Sequence, residues 1–151
     1  MAKMSAEGMS IDLPSNWEAR IFRRPSQGVE TTHAVLHAGN FALPPDAGDY
    51  GDGAVQLMGP RSTFVALVEF HPSSRSTALF SSSGFPLPLR PDDASRTTLQ
   101  HALGGQAGIQ RFFNTSGRAW CLYAVLGSFD LRQRLVPEVN AVVGTIEVQA
   151  A

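Results

Sequence analysis

The chain is short of cysteine, of lysine, of net charge and of long apolar runs, and each shortage removes a class of protein. Its one cysteine, Cys121, excludes an internal disulfide, so packing alone must hold the fold. Lys3 is the only lysine, which leaves the glycine-dense Gly104-Gly105-Gln106-Ala107-Gly108 without the partner a phosphate-binding loop needs. Lys and Arg number 12 against 13 Asp and Glu, a net charge of -1, so no basic face and no nucleic-acid partner are expected. The longest apolar run, Ala119 to Leu126, is far shorter than the roughly 20 residues that span a bilayer, so no transmembrane segment is expected. Met1 to Gly8 carries one basic residue with no apolar stretch behind it, unlike a secretory signal, and a cytoplasmic location is the expectation. Hydrophobic residues at 43% and charged residues at 17% exclude disorder of the whole chain.

What is present is richest in the last quarter. Gly108 to Asn114 and Arg118 to Gly127 read as strands around a Thr115-Ser116-Gly117 turn, with glycine where a positive φ is required. Ala119 to Leu126 is apolar at every position, the mark of a strand buried on both faces. Asp130 is placed to cap a following helix, in which Leu131, Leu135, Val139, Val142 and Val143 recur at helical spacing. Pro137 predicts a kink or restart there, Gly144 ends the helix, and Thr145 to Val148 reads as a last strand.

Earlier in the chain, alternation predicts strands at Met9 to Leu13 and Trp17 to Phe22, joined as a hairpin by Pro14-Ser15-Asn16. Thr32 to Ala38 and Thr63 to Phe70 read as further strands. Asn40 to Gly53, rich in proline, glycine and aspartate, reads as a loop, and Ala54 to Met58 as either a helical turn or the start of a strand. His71 to Arg96 is a long Ser/Pro-rich stretch in which Thr77 to Phe80 pairs weakly and Gly84 to Pro91 is extended. The fold class expected is α+β: a curved, mainly antiparallel sheet of about six strands covered by one or two helices, with the C-terminal helix packed on it. Residues 1–8 and 149–151 are expected to be tails around one domain, 9–148.

Few residues carry chemistry. His33 and His37 share one face of their strand, but no third ligand lies near, so a polar sheet face is preferred to a metal site. Asp46, Asp49 and Asp52 recur every third residue, a spacing that matches no calcium loop and reads as solvated turn aspartates. Cys121, between Trp120 and Leu122, reads as a buried structural thiol. Ser81, Ser82 and Ser83 precede Gly84 without forming a nucleophile elbow. Arg20, Arg23 and Arg24 read as a solvated strand end. Pro86-Leu87-Pro88-Leu89-Arg90-Pro91 has the composition of a polyproline recognition segment, though such runs are more often stiff surface loops.

Met9-Ser-Ile-Asp-Leu-Pro-Ser-Asn-Trp17, a strand followed by Leu-Pro-x-x-Trp, resembles the opening of the PsbP-like and Ran-binding Mog-type α/β/α sandwich superfamily. The strand around Trp120 to Leu126 and the helix from Arg132 to Gly144 are similar to its ending. The resemblance implies an antiparallel sheet covered by helices and work without catalysis: accessory subunits, small-GTPase partners, lipoproteins, or chaperones of secreted effectors. It carries over no site residue. The leading expectation is therefore a protein-binding accessory or assembly factor, chaperone-like or part of a larger complex or homo-oligomer, with no catalytic residue, metal or cofactor. Its partner-binding candidates are Phe41, Tyr50, Phe80, Phe85, Pro86, Pro88 and Arg90, apolar and basic residues placed in loops. A second reading is a small-ligand site or enzyme with a cleft near His33, His37 and the Asp46/Asp49/Asp52 loop. A third is a structural subunit of a phage-like or injection-type particle.

Overall fold

Five extended segments build the main sheet. The computed structural model describes residues 1–25 and 31–150. Its strands are β1 (Ala2–Ala6), β2 (Met9–Leu13), β3 (Glu18–Pro25), β4 (Thr32–Gly39), β5 (Thr63–Phe70), β6 (Ala107–Thr115), β7 (Arg118–Leu126) and β8 (Glu147–Val148); the one α-helix among the described residues is α1 (Arg132–Val143). Five strands form an antiparallel sheet in the order β3-β4-β5-β7-β6, and three form a small sheet in the order β1-β2-β8. The class is thus α+β and mainly antiparallel, but the described residues form two sheets with eight strands rather than one curved sheet of six.

The main sheet has a core on each face. On one face Leu36, Leu67, Trp120 and Leu122 meet Leu135, Val139 and Val143 of α1 and Met9, Ile11 and Leu13 of the small sheet. On the other, Val35, Phe64, Ala66, Val68 and Tyr123 are covered by chain around Leu43, Ala47 and Val55, with no α-helix among the described residues. All nine residues of β7 are buried, which is why the strand reads as continuously apolar. Each large apolar side chain so buried stabilises the fold by about 1.5–3 kcal/mol.

Several expectations change for local reasons. β2 does not pair with β3: Trp17 N donates to Pro14 O at 3.0 Å, and the turn carries the chain from the small sheet to the main one. β2 pairs instead with β1, Ala2 opposite Leu13 and Ala6 opposite Met9, so residues expected as a tail form a strand. Glu7 and Gly8 close that hairpin with φ of 53° and 75°, the geometry of a two-residue turn whose twist suits the strands. The β6–β7 turn is likewise Ser116-Gly117 alone, since Thr115 pairs with Arg118. Thr77–Phe80 does not pair; Ala78–Phe80 is a 3-10 turn. Asp130 does not cap α1, which is preceded by a 3-10 turn at Phe129–Leu131 and has no side-chain cap. Pro137 lies within a continuous helix. The last strand shortens to Glu147–Val148 because Thr145 turns inward, its Oγ1 accepting from Asp12 N at 3.0 Å. Of the expected C-terminal tail, Gln149 N donates to Gly8 O at 2.8 Å, and Ala151 is outside the described residues.

The Ser/Pro-rich stretch 71–96 is fastened along β6. Asn114 N donates to Ser82 O at 2.8 Å, Gly84 N to Asn114 O at 2.7 Å, and Ser95 and Gly108 exchange backbone bonds of 3.0 and 2.9 Å. Further on, Asn140 of α1 clasps Leu89 reciprocally, accepting from its N and donating to its O at 2.8 Å each. These contacts cover both ends of an otherwise open sheet edge.

Candidate functional site

The loop face of the sheet brings together residues that the sequence separates. β3, β4 and β5 present Arg24, His33, His37 and Phe64 to this face, and the loop after β4 folds back over them. Asp49 of that loop is the clamp. His33 Nε2 donates to Asp49 Oδ2 at 2.7 Å, and His37 Nε2 donates to the Asp49 carbonyl at 2.9 Å. Arg24 Nε lies 2.5 Å from Asp49 Oδ1, without the angle of a directed hydrogen bond, so that contact is ionic. An Arg24 guanidinium nitrogen also donates to Ala47 O. The loop reaches the sheet only because position 51 is glycine. Its φ is +87°, and a Cβ there would lie 2.6 Å from Cε2 of Phe64.

Beneath the clamp the polar groups are dry. His37 lies edge-on between Phe22 and Phe64, at 5.2 and 5.0 Å between ring centroids, and is 2% exposed. Burial lowers its pKa from the ordinary histidine value, the bond to the Asp49 carbonyl opposing. The Cys121 thiol is pushed up to about 11 by burial, with hydrogen bonds from Gln110 and Tyr50 opposing. Burial also raises Tyr50 and Tyr123.

Two predictions follow from this chemistry. Cys121 is fully buried and protonated near neutrality, and the thiolate is the nucleophile. The native protein is expected to resist a thiol reagent at pH 8 and to react at its rate of unfolding. Prompt stoichiometric labelling without unfolding would contradict that. His37 is neutral when folded but takes a proton in the unfolded chain near pH 6.5. Its depressed folded pKa means that the unfolded state binds more protons below that pH. Stability therefore falls on acidification from about pH 7.5 to 5.5, and His37→Gln should remove part of the fall in urea midpoint. An unchanged midpoint difference between the two pH values in that variant would rule His37 out.

Beside the clamp, where β3, β4 and β5 approach the β1–β2 turn, lies a cleft of about 620 Å³. Its lining includes Arg23, His33, Glu69, Phe70, His71 and Arg118. Arg118 Nε donates to Glu69 Oε2 at 2.7 Å and its Nη1 to Gln149 O at 3.2 Å, while its guanidinium lies 4.6 Å over Trp120. Glu69 Oε1 accepts from Ala34 N at 3.4 Å just beyond the end of the β4–β5 ladder. On the rim, Arg23 Nε donates to Glu7 Oε2 at 2.5 Å. Among the described residues, no group of three or more His, Cys, Asp or Glu side chains is placed to hold a metal ion.

The residues singled out from sequence scatter. His33, His37 and Asp49 do converge; Asp46 is exposed, and Asp52 accepts from Gln56 instead. Phe41 and Tyr50 are half-buried on the loop-covered core. Phe80 is only 3% exposed, sandwiched between Phe70 and Phe112. Phe85 packs on Phe113 at 5.0 Å on the helix-side core. Pro86 is half-buried, Pro88 and Arg90 are exposed, and Leu89 between them is 3% exposed. These seven residues do not make one surface. Sequence reasoning missed the Glu69–Arg118 pair, although a charge of each sign at the ends of two apolar strands is its visible signal. Among the described residues no helix is long and apolar enough to cross a membrane.

No protein-family model and no curated protein matches the chain. A solved structure described as the complex of Pseudomonas aeruginosa MucA/MucB is similar at 14% identity and a TM-score of 0.39, the match covering 97% of this chain and 37% of that one. The chain thus spans little more than a third of the length of the chain it matches.

Proposed function

We propose that this protein is a non-catalytic binding protein, holding a protein partner as an accessory or assembly factor of the kind that the PsbP-like and Mog-type resemblance implies. The observation that supports this is the use to which its charged groups are put. Glu69 with Arg118, Glu7 with Arg23 and Asp49 with Arg24 are matched as ion pairs, and Asp49 also accepts a hydrogen bond from His33. Carboxylates already held by guanidinium partners make a preorganised frame for recognition. The test is purification of the tagged chain from its native source, with the mass of the complex measured in solution. A stoichiometric second chain is expected to co-purify. A monodisperse monomer at every step would overturn the reading.

A second reading, a small-ligand site in the cleft, is favoured by its volume and by the His33 imidazole held 2.7 Å from the Asp49 carboxylate. A fragment screen read by thermal shift and crystallography tests it. Ligands that raise the melting temperature and occupy the cleft next to His33 would support it, and a screen with no occupant there would remove it.

A further inference from the structure

The two edges of the main sheet are treated differently. The β6 edge is fastened at both ends by the 71–96 stretch; among the described residues the β3 edge has no such cover. Which backbone groups of β3 point outward follows from the ladder. Asn40 N donates to Thr63 O at 3.3 Å, just past the Gly39–Phe64 pair. In an antiparallel ladder, hydrogen-bonded pairs alternate, so the even residues of β4 bond toward β5. Its odd residues therefore bond toward β3, where their partners are Glu18, Arg20, Phe22 and Arg24. The N–H and C=O groups of Ala19, Ile21 and Arg23 are left facing away from the sheet. None of these six groups has a hydrogen-bond partner among the described residues.

This edge also lies at the bottom of a groove of about 350 Å³, lined by Met4, Ala19, Arg20, Ile21, Phe22 and Pro45. Met4 of β1 forms one wall and Pro45 of the clamped loop the other. Natural sheets blunt an open edge with charge, a bulge or a covering segment; here β3 carries Glu18 and three arginines, and the covering position is a recess. An added strand would set alternate side chains on the two faces of the sheet. One set would meet the apolar Met4 and Ile21. The other would meet Arg20, which is exposed and is the one arginine of β3 without a carboxylate partner among the described residues.

We infer that the outer edge of β3 is a docking surface that takes an extended segment of a partner protein as an added strand, with apolar side chains toward Ile21 and acidic ones toward Arg20. The inference rests on the binding reading above and names its surface. A second copy of the chain is the poorer occupant. Its own β3 lies equally recessed between two walls, and it would bring to the seam a second Arg20 in place of the carboxylate that Arg20 lacks.

The probes are a fluorescent peptide alternating Val with Glu, its Val/Lys counterpart, and the Val/Glu peptide N-methylated at alternate residues. Strand addition draws affinity from main-chain hydrogen bonds. The Val/Glu peptide is expected to bind saturably, with affinity lowered about tenfold or more by N-methylation and by the change to lysine. Ile21→Pro removes an outward N–H, which an edge strand tolerates, together with an apolar side chain half-buried at the rim of the helix-side core, and is expected to weaken binding at least as much while circular dichroism stays unchanged. The N-methylated peptide keeps the test decisive should that variant unfold. No saturable binding, or equal binding of the N-methylated peptide, would overturn the inference. So would a homodimer in sedimentation that Ile21→Pro dissolves. A native partner that remains bound to a folded Ile21→Pro chain would overturn the edge inference and leave the binding reading standing, whereas a chain with no native partner that still binds the Val/Glu peptide would do the reverse.

Discussion

Arg118→Ala is expected to cost about 3–5 kcal/mol of stability, the range for removing one partner of a buried ion pair. The side chains of Arg118 and Glu69 are only 9% and 13% exposed, so little water is present to take over the lost contact. The truncation strands the Glu69 carboxylate and frees Gln149 O and the face of Trp120 together. A domain of this size has about 5–15 kcal/mol in all, so the variant should unfold at a much lower urea concentration. The double variant Arg118→Met with Glu69→Met should recover most of the loss, because apolar replacement of a whole buried pair is often neutral. A single-variant cost below about 1 kcal/mol would place the pair among solvent-screened surface contacts instead.

That pair shows where sequence reading ends. Thr63–Phe70 and Arg118–Leu126 are legible as strands because burial on both faces demands apolar side chains at almost every position, whatever pairs with them. Glu69 and Arg118 interrupt those runs, but only the antiparallel register, with Glu69 opposite Trp120 and Phe70 opposite Ala119, puts their charged ends together. Register is equally what hides the β3 edge: the outward-facing groups belong to Ala19, Ile21 and Arg23 only because Ala38, Leu36 and Ala34, opposite them, bond toward β5 instead. β1 is illegible for a different reason. Ala-Lys-Met-Ser-Ala is small, polar and largely exposed, so its strand state comes from the partner β2 and the Glu7-Gly8 turn rather than from its own pattern. His33, His37 and Asp49 are intermediate. Their residue types suggest a cluster, but what the structure makes of it is a clamp for a loop, with His37 desolvated among aromatic rings.

The loop held by that clamp is what Phe64→Ala tests. Phe64 is fully buried, touches His37 edge-on and lies against Gly51. Its truncation should cost about 3–5 kcal/mol, as for other buried phenylalanines. The more informative outcome is where the structure loosens. The helix-side core is closed by α1, whereas the core around Phe64 is closed by chain whose backbone bonds are short-range turns within itself, such as Gly48 N to Asp52 O, Gly51 N to Gly48 O, and Ala54 N and Val55 N to Gly51 O. Chain of that kind opens with a free energy below that of the whole domain. In Phe64→Ala, hydrogen exchange at Gly51, Ala54 and Val55 should accelerate well beyond that at Leu122 and Val125 in β7. Leu135→Ala, which opens a cavity on the helix side, should instead loosen α1 and leave the loop amides at their native rates until global unfolding. A uniform rise in exchange across both faces in either variant would show that the two cores form one cooperative unit. The clamp would then be an ordinary part of the core rather than a separately opening cover.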